Sequence, residues 1–375
     1  MELGRDNSLV SGTHRHNRTR LRRMSTPELL RRLLSAPGPS GYETAASAVW
    51  REAASEFAEV SRDAMGSSVA RVPGTSGGPL LVLLGHIDEI GVIVTHVDEH
   101  GFLFFRGVGG WRPEVLLGQR VELLTRDGRL PGLIGRKWRK RLKPDEKDEQ
   151  LNLDDLHIDI GASDRAQALE LVRLGDVAVI AGEPLELANG RLVSRALDNR
   201  LGAYVALEAA RLVSEAGGAP GDVAAVAAVQ EEVGDFGGAR TSVFALDPQV
   251  ALAVDVTDAT DVPEGDPKPW GESKLAEGPV VNRGPTIAPK VFDLLVEAAE
   301  AEGIVYTVNV SAGETSTDMD AAYVSRAGIA TGLVSLATRY IHTPTELVSL
   351  DDVEAAARLV AAFAKRLEPG LDLTR

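Results

Sequence analysis

Apolar residues recur along this chain in two patterns, one typical of helices and one typical of buried strands. Helical spacing, with apolar positions three and four residues apart, covers residues 43–58, 199–217, 290–304 and 351–367. Short continuous apolar runs, which predict buried strands, cover residues 77–86, 222–230, 250–256, 306–311 and 330–341. Because the two patterns alternate, they predict an α/β fold.

The pattern changes between residues 92 and 188, where helical spacing is scarce. Short β-like segments follow one another there, separated by Gly, Asp and Arg. This predicts a small β-rich domain, residues 92–188, inserted into an α/β domain made of residues 24–91 and 189–375. We interpret the highly charged stretch 136–150 within the insert as a solvated loop.

The first helix is expected to start just after the N-terminal tail. Ser25 or Thr26 is a plausible cap, and Pro27 would stand in the first turn. Residues 36–41, rich in Pro and Gly, then predict a loop.

Composition narrows the chemistry that this fold can carry. The chain has 375 residues, with 40 Lys and Arg against 55 Asp and Glu, and a formal charge of −15. This acidic balance argues against nucleic-acid binding, which usually needs a basic face. Cysteine is absent, so disulfides, thiolate nucleophiles and Cys-based metal sites are excluded. Any metal site must therefore be built from His, Asp and Glu.

Residues 1–23 differ from the rest, because they carry six arginines against two acidic residues. They lack the apolar segment of a secretory signal, and no apolar run approaches the ~20 residues of a membrane span. We expect a disordered tail on a cytoplasmic protein that has neither nucleic acid nor a membrane as its partner.

Side chains that can bind metal stand where several predicted strands end. His86 and His342 each follow an apolar run, Glu231 and Glu232 close a third, and Asp255 closes a fourth. In an open α/β sheet, ligands bind in the crevice outside the carboxyl ends of the strands. These side chains are therefore expected to converge there.

Asp198, just before a predicted helix, adds a carboxylate that two metal ions could share. Two His, two Asp and one Glu would then give three protein ligands to each of two divalent cations ~3.5–4 Å apart. The glutamate of the pair that is left over, on the opposite side of the strand from its neighbour, would be the general base for a water between the metals. Asp88 could hold the imidazole of His86 from its other nitrogen.

Each of these residues also has a purely structural interpretation. A histidine at a strand end is usually a satisfied structural residue, an aspartate before a helix is usually its N-cap, and a glutamate pair is usually solvated. Glu231 and Glu232, however, follow a run of apolar or small residues, where two unpaired buried charges would be costly. A pair of cations would remove that cost.

Five short stretches, together with the order in which they occur along the chain, carry a family resemblance. They are GHIDEIG (85–91), SRALDNRLGA (194–203), QEEVG (230–234), DVTDATD (255–261) and TRYIHTPTE (338–346). They resemble the tetrahedral aminopeptidases, cytosolic dinuclear metallopeptidases that are related to glutamyl aminopeptidases and are sometimes named endoglucanases. APGPSGYE (36–43) and LDDLHIDIGA (153–162) extend the resemblance over nearly the whole chain from residue 24.

The resemblance implies a catalytic domain of the zinc-peptidase type, an α/β/α arrangement around a mixed sheet, and an inserted PDZ-like or β-barrel dimerisation domain. The ligand sets that it implies are His86, Asp198 and Asp255 for one metal ion, and Asp198, Glu232 and His342 for the other. It also implies that Glu231 is the general base and that Asp88 orients His86. Zinc is the implied metal, with cobalt or manganese as alternatives. Homo-oligomers are implied, in which dimers form a hollow dodecamer that admits only short peptides.

Two stretches depart from the family pattern. QEEVG is followed by DFGGAR, which places Asp235 and Phe236 near the site and leaves the substrate preference open. GETSTDMDA, residues 313–321, matches only loosely, so Asp318 is expected to be a wall residue without a catalytic role. The preferred N-terminal residue of the substrate is not predicted.

The functional prediction is an aminopeptidase that releases N-terminal residues from short peptides. A related dinuclear carboxypeptidase or N-acyl amino-acid deacylase would share the same His-x-Asp and Glu-Glu features. A non-catalytic peptide-binding scaffold is a weaker alternative, because all the predicted ligands are present. A glycosidase is weaker still, because such enzymes usually act through two carboxyl groups without metal.

Overall fold

The computed structural model describes residues 25–137, 151–268 and 271–375. The predicted tail and residues 138–150 of the predicted charged loop lie outside the described residues. Arg136, expected in that loop, is instead the last residue of a strand.

The α-helices of the described residues are α1 (Glu28–Ser35), α2 (Thr44–Ala54), α3 (Pro113–Leu116), α4 (Arg165–Leu171), α5 (Leu197–Glu215), α6 (Gly237–Leu246), α7 (Pro289–Glu302), α8 (Met319–Ala322) and α9 (Leu350–Ala364). The four segments with helical spacing thus form α2, α5, α7 and α9. The predicted cap of the first helix is wrong, because α1 begins after Pro27 without a side-chain cap. Thr26 donates its hydroxyl and its amide to Glu186 instead.

The strands of the described residues are β1 (Glu59–Arg62), β2 (Ser68–Val72), β3 (Leu81–His86), β4 (Gly91–Val97), β5 (Leu103–Val108), β6 (Arg120–Thr125), β7 (Gly128–Arg136), β8 (Leu156–Asp159), β9 (Val177–Ile180), β10 (Leu185–Leu187), β11 (Arg191–Ser194), β12 (Val223–Ala228), β13 (Val250–Asp258), β14 (Val280–Arg283), β15 (Thr307–Val310), β16 (Ala330–Thr338) and β17 (Glu346–Ser349).

The largest sheet is mixed, with the strand order β1-β2-β12-β3-β13-β16-β14-β15. Its centre, from β12 to β16, is parallel. Helices α1, α2, α5, α7 and α9 pack on one face, and α6 and α8 pack on the other. The predicted α/β/α arrangement around a mixed sheet is therefore confirmed.

The predicted β-rich insert contains a closed antiparallel barrel in the order β4-β5-β8-β7-β6-β9. The barrel has its own apolar core, which includes Val94, Leu103 and Ile158. Its strands run from Gly91 to Ile180, close to the predicted range 92–188, and the domain boundaries themselves stay a prediction. A smaller sheet, β10-β11-β17, lies next in the chain and includes a strand from near the C-terminus.

Parallel pairing brings the carboxyl ends of the central strands to one edge of the sheet. His86, the last residue of β3, stands opposite Ala228, the last residue of β12. These strands are buried along their whole length, as continuous runs of Val, Leu and Ala favour in a sheet that is covered on both faces. The residues that follow β12 therefore emerge beside His86.

Two glycines bring α5 unusually close to the sheet. A Cβ atom on Gly85 of β3 would lie 2.2 Å from the carbonyl carbon of Gly202 in α5, and a Cβ on Gly202 would lie 2.1 Å from the carbonyl oxygen of Val254 in β13. Only residues without a Cβ permit this approach. It places the start of α5, and with it Asp198, over the strand that ends in His86.

No helix among the described residues combines the length and the apolarity needed to cross a membrane.

Candidate metal centre

The predicted site residues meet in a cavity of about 320 Å³ at the carboxyl edge of the central strands. The predicted residues that line it are His86, Asp198, Glu231, Glu232, Asp255 and His342. The rest of its lining comes from residues 256–258, residues 315–317 and Ile341. Asp88 is fully buried and lies against the cluster through His86.

Asp198 stands between the two histidines. Its Oδ1 lies 3.2 Å from Nε2 of His86, and its Oδ2 lies 3.4 Å from Nε2 of His342. It does not cap α5, whose N-cap is Ala196. The position is therefore that of a carboxylate whose two oxygens can each serve a different metal ion.

Three groups of donor atoms lie within 4.8 Å of one another. They are His86–Asp198–Asp255, Asp198–Glu232–His342 and His86–Glu231–Glu232. The first two share only Asp198 and can be occupied together. The third group shares His86 with the first and Glu232 with the second, so it competes with both. A two-metal arrangement therefore uses the first two groups and leaves Glu231 without a metal.

Glu231 and Glu232 do not lie on a strand, so the predicted separation by strand alternation is wrong. β12 ends at Ala228, and the two glutamates belong to the loop that follows Gln230, which has a φ of 59°. Asp88 accepts hydrogen bonds from both of their backbone amides, at 3.2 and 3.1 Å. These hydrogen bonds therefore orient the loop, and the side-chain alternation of a strand does not.

Asp88 connects this loop to the histidine that ends β3. Its Oδ1 lies 3.4 Å from Nδ1 of His86, and its Oδ2 accepts a hydrogen bond of 2.6 Å from the hydroxyl of Ser40. Burial alone would raise the pKa of Asp88, but hydrogen bonds from His86 and Ser40 hold it below its ordinary value. An ionised Asp88 can keep the other imidazole nitrogen of His86 facing the cavity.

Glu346 supports the other half of the cluster and was assigned no role from the sequence. Its carboxylate accepts hydrogen bonds from the backbone amides of Asp198 and His342, both at 3.0 Å. It thereby fixes the backbone at two candidate ligands that are 144 residues apart in the chain. Its position in TRYIHTPTE, four residues after His342, was the available sequence signal.

A second set of contacts, which the sequence does not predict, holds the segment that follows His86. Arg200 of α5 is fully buried and donates hydrogen bonds to the carbonyls of Ile87 and Ala36 at 2.5 and 2.8 Å. Its guanidinium also pairs with Glu89 at 3.0 Å. These contacts join α5, the end of α1 and the segment after β3, so they fix Asp198 relative to His86.

Crowding of carboxylates dominates the electrostatics of the cluster. Burial, together with the charges of Asp255, Asp318 and Glu232, raises the pKa of Glu231 to about 10. Burial and the charge of Asp198 raise the pKa values of Asp255 and Glu232 as well. Such groups cannot all be ionised at neutral pH unless positive charge is brought among them.

The same carboxylates raise the pKa of a neighbouring histidine. Hydrogen bonds to Asp198 and Glu232 raise the pKa of His342 to about 11. Moreover, Oε1 of Glu232 is buried without a hydrogen-bond partner in the part of the chain that the structure describes. Two divalent cations would supply the missing partner and let the carboxylates ionise. The His, Asp and Glu donor set thus fits a pair of divalent metal ions.

The three residues whose role the sequence left open take different positions. Asp318 is buried next to the N-terminus of α8, and burial raises its pKa to about 7. Neither of its oxygens has a hydrogen-bond partner among the described residues. Asp235 and Phe236, both with positive φ, form the turn before α6 and do not contribute to the cavity lining.

A loop of the barrel reaches the cluster. A Cβ on Gly110 would lie 3.3 Å from Nδ1 of His342, and a Cβ on Gly109, whose φ is 79°, would lie 3.5 Å from Cβ of Glu232. The backbone of this glycine pair therefore packs against two of the candidate ligands.

The loop that holds Glu231 also rests on a buried glutamate, Glu43, which accepts hydrogen bonds from Gly41 and Gln230. Burial raises the pKa of Glu43 from 4.5 to about 7. The folded protein thus keeps a proton that the unfolded chain loses, and stability falls as the pH rises from about 4.5 to about 7.

Glu43→Gln should remove this cost and keep the accepting oxygen. The variant is expected to gain up to about 3 kcal/mol in the free energy of unfolding above pH 7 and less than about 1 kcal/mol at pH 5. Calorimetric Tm values measured at pH 5 and pH 8 check this. The exposed Glu56→Gln is the control, and an equal gain at both pH values would contradict the prediction.

Comparison with known proteins gives one consistent result. The profile of the M42 glutamyl aminopeptidase family matches residues 66–359. A lysyl aminopeptidase from Pyrococcus furiosus is 33% identical over 357 residues, which cover 92% of this chain and 99% of that protein.

Solved structures agree with the sequence comparison. A TET aminopeptidase from the marine sediment archaeon Thaumarchaeota archaeon SCGC AB-539-E09 superposes with a TM-score of 0.87 and 35% identity, over 91% of this chain and 96% of that one. The TET1 peptidase of Pyrococcus horikoshii, described as assembling into a tetrahedron or a large octahedral shell, gives a TM-score of 0.79 and 31% identity, over 91% and 99%.

Proposed function

This chain belongs to the M42 glutamyl aminopeptidase family, and we propose that it is an aminopeptidase that releases N-terminal residues from short peptides. We propose further that it does so with two divalent metal ions. Zinc is the proposed metal, and cobalt and manganese suit the same donors. The cytoplasm is its proposed location.

The observation that carries the metal proposal is the pair of donor groups that share Asp198. Each group consists of one histidine and two carboxylates within 4.8 Å of one another. One ion would be held by His86, Asp198 and Asp255, and the other by Asp198, Glu232 and His342. When bound, the ions would act as Lewis acids toward the scissile carbonyl and lower the pKa of water.

Glu231 is the proposed general base. Its Oε2 lies 3.7 Å from Nε2 of His86, so it borders the group that would hold one ion. Burial raises the pKa of the Glu231 carboxyl, so this group can hold a proton readily. Glu231 would take the proton of the attacking water and return it to the leaving amine, so that no net proton is consumed at this side chain.

The surrounding residues would hold these groups in position. Asp88 would keep His86 in one tautomer and fix the amides of Glu231 and Glu232. Glu346 would fix the backbone of Asp198 and His342. The proposed ligands and the base therefore rest on two carboxylates that do not themselves reach the metals.

We further propose that the barrel mediates dimerisation and that dimers assemble into a dodecamer. Leu133, Leu171 and Leu174 are exposed leucines of the insert that such an interface could cover. The description of the Pyrococcus horikoshii relative supports closed assembly. A hollow particle would restrict substrates to short peptides.

The names of the relatives indicate different N-terminal residues in their substrates. The family is described as glutamyl and the Pyrococcus furiosus protein as lysyl. The preference of this chain must therefore follow from the walls of its own cavity.

Activity on aminoacyl-p-nitroanilides and on N-acetyl amino acids, after chelation and re-addition of single metals, tests the proposal. We expect hydrolysis of the free-amine substrates alone, lost with the chelator and restored by zinc, cobalt or manganese. Hydrolysis of only the blocked substrates would favour a deacylase or carboxypeptidase and reject the proposal, as would full activity in the presence of the chelator.

A further inference from the structure

We infer that this enzyme favours peptides with a positively charged N-terminal side chain, and that Asp258 is the residue that sets this preference. The inference rests on the proposed aminopeptidase function and adds to it the class of substrate. The features that carry it are the charge, the position and the unpaired state of Asp258.

Asp258 is the last residue of β13 and lines the same cavity as the candidate ligands. Its side chain is exposed. Within the described ranges, its carboxylate makes no hydrogen bond and no ion pair, unlike nearby Asp261, which pairs with Arg339 at 2.6 Å. An unpaired carboxylate at a cavity wall is available to a cationic ligand.

The other walls of the cavity are neutral. Beyond the metal cluster, the described lining consists of Val256, Thr257, Ile341 and the loop 315–317 in addition to Asp258. The nearby Asp320 is occupied, because it accepts hydrogen bonds from the amide and hydroxyl of Thr315 and from the amide of Ser316. Outside the metal cluster, Asp258 is thus the charged residue of the described cavity lining.

Distance along the strand decides which part of a substrate Asp258 can meet. β13 stays in register with β16 up to Asp258, so the Cα of this residue lies about 10 Å beyond the Cα of Asp255, at about 3.3 Å per residue. Being three residues further on, its side chain leaves the other face of the strand and stays apart from the metal ligands. The N-terminal nitrogen of a peptide lies only about 2.5 Å from the scissile carbonyl carbon. It therefore stays at the cluster, whereas the charge on the four-carbon stem of a lysine reaches toward Asp258.

Charge balance in the loaded site points the same way. The four carboxylates of Asp198, Glu231, Glu232 and Asp255 would be matched by two divalent cations. Among the described residues that line the cavity, Asp258 would then be the unmatched carboxylate, because Asp318 is buried outside the lining. A lysine or arginine side chain is therefore attracted and a glutamate side chain is repelled.

The test compares Lys-, Arg-, Met- and Glu-p-nitroanilide with the metal-loaded protein, because methionine has an unbranched side chain without charge. We expect the kcat/KM ratio of Lys to Met to fall five- to tenfold in Asp258→Asn, with the Met value changed less than twofold. Asp258→Glu should keep the ratio, and the exposed Asp293→Asn is the control of equal charge change. Since Asp258 is exposed, the wild-type ratio should also fall between about 20 mM and about 0.5 M NaCl.

Binding gives a readout that does not depend on turnover. Calorimetric titration with free L-lysine and L-methionine should show that Asp258→Asn weakens lysine binding five- to tenfold and leaves methionine binding unchanged. An equal loss for Lys and Met substrates would assign Asp258 to the α-amine and overturn the inference. A wild-type preference for Glu, or an unchanged ratio in Asp258→Asn, would also overturn it. Failure of the wild type to hydrolyse any free-amine substrate would instead reject the proposed function.

Discussion

Glu231→Gln is expected to lower kcat by about 10³–10⁴-fold, the upper range of what a positioned general base contributes. Glutamine has nearly the same shape but cannot take a proton from water. Because Glu231 belongs to neither of the two donor groups that share Asp198, both metal ions should stay bound. Steady-state rates on an aminoacyl-p-nitroanilide, together with metal content by mass spectrometry, check both parts of this expectation.

The matched control is Glu314→Gln, an exposed glutamate next to the loop 315–317 of the cavity wall. It should keep near-normal turnover and two metal ions. Near-normal turnover in Glu231→Gln would remove this residue from the proposed mechanism. Loss of one metal ion in that variant would place Glu231 among the ligands, as in the third donor group.

Asp198→Ala is expected to remove the metal ions and abolish activity. Its two oxygens lie 3.2 and 3.4 Å from the two histidines, so both donor groups lose a member at once. Bound metal ions would supply several kcal/mol of transition-state stabilisation as Lewis acids, so their loss should lower the rate by about 10³-fold or more. Metal analysis after dialysis and a rate measurement with added zinc check this result.

His342→Ala offers the informative comparison, because it removes a donor from one group only. This variant should retain one metal ion per subunit, whereas Asp198→Ala should retain none. Equal metal content in the two variants would contradict a shared carboxylate. Circular dichroism should show that both proteins are folded, since β3, β12 and β13 keep their buried pairing.

The fold could be predicted where a single local pattern decides the structure. The run that ends at His86 and the run that ends at Ala228 are apolar throughout, and both are buried parallel strands. The change of pattern after residue 92 predicts a β-rich insert, and the strands of this region close into a barrel. These features depend on neighbours in sequence, so one chain is enough to indicate them.

The site was predicted less completely, because several of its contacts join distant segments. Ser40 reaches Asp88 across 48 residues, and Glu43 reaches Gln230 across 187. Glu346 holds two backbone amides whose position depends on the whole fold. No local pattern distinguishes such residues from ordinary loop residues.

Glu231 and Glu232 show how a correct set of residues can rest on a wrong local geometry. Their position after a predicted buried strand predicts that they lie at the site, and the structure does bring them to the cavity. Their backbone is held by hydrogen bonds to Asp88 in a loop, and not by the pairing of a strand. A positive φ at Gln230, a non-glycine residue, gave no signal in the sequence.

The glycine pair of the barrel loop limits how far the two parts of this protein can be altered independently. Gly109 and Gly110 place bare backbone against Glu232 and His342, although they come from a different structural unit. Replacing the barrel by a short linker would therefore expose one side of the cluster to solvent, even if the large sheet still folded. A barrel grafted from a relative would have to present an equally small residue at position 110.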